Sequence, residues 1–147
     1  SNSLVANNVK DFSLVGGVPA KVIKENLKKN YNKSQILNIL HDQFNGLKHW
    51  FNMNNYNTVS INQNKFLFES NGQKRTITFH DHHHTNSEIV YNEDFDIILT
   101  YDSNLKTNNY NSMLVVKTEV VIGDLDYDVK VIIEYFRRKG IRFYASG

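Results

Sequence analysis

Five consecutive residues, His80-Asp81-His82-His83-His84, are the densest group of chemically capable side chains in the chain. They follow Arg75, Ile77 and Phe79, an alternating pattern that predicts a β-strand, so they fall at a strand end. Alternate residues of a strand share a face about 7 Å apart, which lets His80 pair with His82, or His82 with His84, on one metal ion through imidazole nitrogens. The outer two lie about 13 Å apart on an extended strand, so a third ligand would have to come from Asp81, Glu88 or elsewhere. Acid–base use of an imidazole is a further option. A polar strand end and turn accounts for the same residues, and no metal ligand is assigned.

Three other groups carry chemistry. Arg137, Arg138 and Lys139, with Arg142, offer planar forks and point charges that suit a phosphate or an acidic sugar. Placed in the last turn of a helix, the same charges complement the helix dipole. The acidic residues Glu93, Asp94, Asp96, Glu119, Asp124, Asp126 and Asp128 could supply oxygens to a hard cation. The 124-126-128 spacing resembles the start of an EF-hand loop, but no Gly stands at the sixth place and no Glu at the twelfth, which favours helix capping. Most of the aromatic residues are core material. Trp50 and Tyr56, near the end of a predicted helix, are the two placed to line a pocket and pack on a sugar ring. No nucleophile, base and orienting group stand together in a motif, so no catalytic residue is assigned.

Composition narrows the classes further. The chain of 147 residues has no cysteine, which removes disulfide and thiol chemistry. A net charge of +2 with scattered basic residues argues against nucleic acid as a partner. No apolar run approaches the roughly 20 residues that span a bilayer, and no leader pattern opens the sequence. A cytoplasmic protein with no membrane partner is expected.

The hydrophobic spacing supplies the elements that must position these groups. Ile36, Leu37, Leu40, Phe44, Leu47 and Phe51 recur every three or four residues, and Asn32 with Gln35 has the form of a capping box, which predicts a helix from Lys33 to Asn52. The period then changes to two. Val59 with Ile61, Phe66 with Phe68, and Arg75 with Ile77 and Phe79 predict three strands covered on one face, the last two joined by an Asn71-Gly72 hairpin turn. Further strands are expected at Glu88–Tyr91, Phe95–Tyr101 and Met113–Ile122, the last breaking near Thr118, with Asn-rich turns between them. A second helix over Tyr127–Lys139 starts at Asp124 or Asp126, buries Val129, Ile132, Ile133 and Phe136, and stops at Gly140; Ile141–Tyr144 close the chain as a strand. The expected class is α+β, an antiparallel sheet with helices packed on one face.

Residues 1–24 have a different character. Leu4, Val5, Ala6 and Val9 are too few to form a core, and Gly16-Gly17 with Pro19 make a tight bend after Leu14-Val15. Ser3-Leu4-Val5, followed by the run from Val9 through Ser13-Leu14-Val15-Gly16-Gly17-Val18-Pro19-Ala20-Lys21-Val22-Ile23-Lys24, resembles the C-terminal edge of the hexapeptide-repeat acyltransferases. The resemblance covers roughly the first 24 residues and is most specific over the Gly-x-Pro-Ala-Lys piece. It implies that the α+β part is preceded by the last edge and tail of a left-handed β-helix. It also implies a parent O-acetyltransferase, a homotrimer that moves an acetyl group from acetyl-CoA to a hydroxyl of a sugar or polysaccharide acceptor. In that family the segment matching Gly17, Pro19, Lys21 and Lys24 borders the cofactor groove, with the lysines approaching the CoA phosphates. The family's catalytic histidine lies in upstream repeats that these residues do not include, so neither cofactor binding nor catalysis is expected of this piece alone.

The expected organisation is a β-helix edge at 1–24, a polar linker at 25–33 and an appended domain at 34–147. The appended domain is expected to serve acceptor selection or assembly with no chemistry of its own. The alternatives are an independent metal-dependent or ligand-binding unit, or a purely structural oligomerisation module.

Overall fold

A computed structural model describes residues 31–80, 94–102 and 109–146 in full, and the strand backbone at 14–15, 18–19, 89–90 and 105–106. The first helix, α1 (Lys33–Met53), begins where the capping box predicts. The Gln35 amide donates to Asn32 Oδ1 at 2.9 Å and the Asn32 amide donates to Gln35 Oε1 at 2.9 Å, satisfying two N-terminal donors. The buried stripe is the expected one, with Gln43 added to it.

Ahead of α1, β1 (Leu14–Val15) and β2 (Val18–Pro19) pair antiparallel, Leu14 opposite Pro19 and Val15 opposite Val18; the expected bend at Gly16-Gly17 lies outside the described residues. The rest of the expected β-helix edge lies outside the described residues. After α1 come β3 (Thr58–Asn62), β4 (Lys65–Ser70), β5 (Gln73–His80), β6 (Ile89–Val90), β7 (Ile97–Thr100), β8 (Leu105–Lys106), β9 (Ser112–Val115) and β10 (Val120–Gly123). The second helix, α2 (Tyr127–Arg138), and β11 (Tyr144–Ala145) follow. Seven strands form one sheet in the order β11-β10-β9-β7-β5-β4-β3, and β6 pairs separately with β8.

The sheet is mixed, which corrects the antiparallel expectation. The β3-β4-β5 meander and the β9-β10 pair are antiparallel, whereas β5-β7, β7-β9 and β10-β11 are parallel. Alternation reveals faces but not direction, which depends on how each connection returns to the sheet and leaves no mark on the alternation itself. A signal of this was present. All four residues of β7 and all four of β9 are buried, as in parallel central strands covered on both faces, and both segments read as continuous apolar runs rather than alternation.

Turn chemistry follows the sequence closely. Asn71 and Gly72 both have positive φ, 52° and 78°, the pair of conformations a two-residue type I′ hairpin needs. At the end of α2, the Ile141 amide donates to the Phe136 carbonyl and the Gly140 amide to the Arg137 carbonyl, closing a Schellman motif with Gly140 at φ 86°.

Both helices pack on the same sheet face. Phe44 and Phe51 of α1 meet Phe66, Phe68 and Phe79 of the sheet, while Val129, Ile132 and Phe136 of α2 join the same cluster with Ile141 and Phe143. Ile98, Met113 and Val115 form a smaller cluster on the opposite face with Phe95, Tyr110 and Ile122. One strand expectation is reversed. Thr58 and Ser60 are paired with Phe68 and Phe66 and so share the helix-side face, leaving Val59 and Ile61 outward, 61% and 51% exposed on the edge strand β3. Among the described residues, no helix is long and apolar enough to cross a membrane.

Candidate functional site

The pose of α2 on the sheet is set at its N-terminus by one arginine. Arg75 stands in phase with Ile77 and Phe79, so β5 carries a guanidinium toward the helix side, where a charge must be paired. Its Nη2 and Nε donate to the Asp96 carboxylate at 2.8 and 3.0 Å, and its Nη1 reaches Asp126 and Asp128, each at 3.0 Å. Asp126 is also the N-cap of α2, accepting from the Val129 amide at 3.0 Å, and Asp128 accepts from the Ser70 hydroxyl at 2.8 Å. Capping at Asp126 is thus the role the sequence favoured. The cation among these carboxylates is Arg75.

With α2 held in this way, its flank toward α1 opens a groove of about 310 Å³ lined by Trp50 of α1 and by Lys130, Val131, Glu134, Tyr135 and Arg138 of α2. Lys130, Glu134 and Arg138 are four residues apart and form one row on the helix; Val131 and Tyr135 form the next. The surface lining the groove is almost wholly apolar, and the charged ends of Lys130, Glu134 and Arg138 stand at its rim. Trp50 lies 6.0 Å from Tyr135 by ring centroids, tilted at 54°. Tyr135 is almost wholly buried, and burial pushes its hydroxyl up to about 12, so it remains protonated and neutral through the physiological range.

Electrostatically that rim is positive. Glu134 accepts two hydrogen bonds from Arg137, at 2.9 and 2.6 Å, and one from Arg138 Nε at 3.3 Å. The bonds from Arg137, joined by the one from Arg138, hold its carboxyl down at about 2. Its charge is met twice over, and Lys130 makes no ion pair among the described residues. Lys139 turns away from the row and lies over the Tyr135 ring at 5.4 Å. Arg137, Arg138 and Lys139 are therefore not one anion-binding cluster; successive helical residues point about 100° apart, and only Arg138 lines the groove.

A glycine makes the wall possible. A Cβ on Gly46 of α1 would collide with the Tyr135 hydroxyl oxygen. Gly46→Ala is expected to destabilise the fold by about 1–3 kcal/mol through overpacking, against about 1 kcal/mol gained in helix propensity. Tyr135→Phe, which removes that oxygen, should restore most of the loss. Urea midpoints of the two single variants and the double variant measure the coupling, and additive effects would show that the hydroxyl is not what requires glycine at 46.

Of the residues singled out in the sequence, the structure brings Trp50 and Arg138 together, with Tyr135, read only as core material, beside them. Tyr56 does not join them: it stacks on Phe51 at 4.5 Å and belongs to the core edge. Arg142 is exposed, away from the groove-lining set. Lys130 and Glu134 were missed, although their 130-134-138 spacing with Arg138 on a predicted helix was visible. His80 is buried at the end of β5, while 81–84 and Glu88 lie outside the described residues. Among the described residues, no group of three or more His, Cys, Asp or Glu is arranged to hold a metal ion. Pro19 lies in β2; Gly17, Lys21 and Lys24 lie outside the described residues. Comparison with protein-family models, with curated proteins and with solved structures finds no match for the chain.

Proposed function

We propose that residues 34–147 are an accessory domain of an acetyl-CoA-dependent O-acetyltransferase and contribute acceptor selection without chemistry of their own. The resemblance of residues 3–24 to the edge of a hexapeptide-repeat enzyme supplies the class of reaction. In this proposal the parent is a homotrimer that takes acetyl-CoA, with Gly17, Pro19, Lys21 and Lys24 at its cofactor groove, and the acceptor is a hydroxyl of a sugar or polysaccharide. The observation that carries the role of the appended domain is the groove itself. A tryptophan and a tyrosine beside a row of charged side chains suit a ring with apolar C–H faces and polar edges.

Acetyl transfer to a panel of sugars by the polypeptide that carries the upstream repeats, compared with the same polypeptide ended after Lys33, tests the proposal. Truncation is expected to abolish or redirect acceptor use while acetyl-CoA binding and oligomeric state survive. Unchanged acceptor use would sink it. Loss of the oligomer instead would move the role to assembly, for which the open edge β3, with Val59 and Ile61 outward, provides a surface.

A further inference from the structure

The charge of the groove says more about its occupant than its shape does. Lys130 and Arg138 stand eight residues apart on α2, about 12 Å along the axis, so cations mark both ends of the row and Glu134 lies between them. An acidic residue in the middle would repel an anion if it stood alone. It does not stand alone, because Arg137 grips both of its carboxylate oxygens from the side. Arg138 spends only its Nε on Glu134, and among the described residues no hydrogen bond engages its terminal nitrogens. Those nitrogens, on a side chain that is 65% exposed, remain available as a fork. The Lys130 ammonium is likewise open. Beside them the wall is Trp50, Val131 and Tyr135, whose polar groups are the Trp50 indole N–H, a donor, and the neutral Tyr135 hydroxyl, which is turned toward the Gln43 carbonyl of α1.

We infer that the groove takes a sugar ring bearing a carboxylate, a uronate-type unit, with the ring against Trp50 and the carboxylate on Arg138 or Lys130. This rests on the acceptor-groove proposal and narrows it: a neutral sugar would use the aromatic wall and leave both cations solvated, and a small inorganic anion would use the cations and leave the aromatic wall bare. At about 310 Å³ the space is at the small end of ligand pockets, enough for a short saccharide and not for a large cofactor.

The chain carries a single tryptophan, and it is Trp50, so intrinsic tryptophan emission reports on this groove alone. The full chain is titrated with methyl β-glucuronide, methyl β-glucoside and acetate while that emission is followed. Saturable change with the glucuronide at about ten-fold lower concentration than with the glucoside is expected, a factor worth about 1.4 kcal/mol, and the preference should shrink as salt is added. Lys130→Gln and Arg138→Gln combined, both exposed substitutions, should remove the preference, and a preference that survives the double variant would overturn the carboxylate assignment. Equal response to the two glycosides would overturn the carboxylate assignment and leave the acceptor groove standing. Response to neither would overturn both, and acetate acting as well as the glucuronide would make the groove a small-anion site and overturn the assignment of a sugar.

Discussion

Arg75→Ala is expected to destabilise the protein by about 3–5 kcal/mol, the cost of leaving partly buried carboxylates without their cation. One guanidinium there serves three aspartates from two parts of the chain: Asp96 just before β7, and the N-cap Asp126 with Asp128 in the first turn of α2. Its removal leaves Asp96 and Asp128, with side chains only 17% and 9% exposed, facing each other's charge at the start of the helix. Arg75→Lys keeps the charge but not the fork, so it should recover part of the loss and not all of it. Urea unfolding of the three proteins at neutral pH measures this, and an Arg75→Ala midpoint within error of the parent chain would show that the cluster is dispensable.

The same cluster sets an acid limit. Burial alone would raise the Asp96 carboxyl, but hydrogen bonds from Arg75 and Asn111, the charge of Arg75 and the Thr76 amide outweigh it and hold the group below the ordinary carboxylate range. An unfolded aspartate titrates near about pH 4, so between that value and the lower folded one the unfolded chain binds more protons. Asp96 therefore contributes stability that is complete above about pH 4 and is lost as the pH falls through its folded value. In Arg75→Ala the principal lowering partner is gone. The stability gap between Arg75→Ala and the parent chain should therefore be widest above about pH 4 and narrow as the pH falls through the folded value of Asp96.

Gly123→Ala is expected to cost about 3 kcal/mol, from two sources that act together. Gly123 has φ 96°, a conformation that costs a side-chain-bearing residue about 1–3 kcal/mol, and a Cβ there would collide with the Asn111 carbonyl oxygen. That obstacle is backbone, so no rotamer change can clear it. The residue ends β10 opposite Ser112, and the chain passes from it through Asp124 and Leu125 to the N-cap Asp126. A shift at Gly123 should therefore be felt at the Arg75 cluster as well as in the sheet. Thermal unfolding of Gly123→Ala checks the magnitude; Asp124→Ala, at an exposed neighbouring position, is the control for a general effect of substitution in this loop and should stay within about 0.5 kcal/mol.

Much of the local structure was legible because its causes are local. A capping box at Asn32, a type I′ turn at Asn71-Gly72 and a Schellman end at Gly140 depend on side chains and backbone freedoms within a few residues. The apolar stripes of α1 and α2 were legible for the same reason, since a 3.6-residue period marks a face whatever that face meets. The role of Arg75 could have been read in part: a charge in phase with Ile77 and Phe79 points inward and must find partners, but nothing near it in the sequence says that they are 21, 51 and 53 residues away.

By itself, then, the sequence determined the two helices with their caps and apolar stripes, and the approximate places of most strands, because those properties arise from neighbours along the chain; the closing strand is Tyr144–Ala145 and not Ile141–Tyr144. It also determined part of the inventory from which a site could be made: Trp50 and the basic end of α2. Strand direction, the outward turn of Val59 and Ile61, and the meeting of Trp50 with Lys130, Glu134 and Arg138 were decided only by tertiary structure. Both helices bury one face against the same sheet, and the aspartates around Arg75 tie the start of α2 to that sheet. Their flanks are thereby brought side by side, and the groove is the space left between two faces that each sequence segment presents for a different reason.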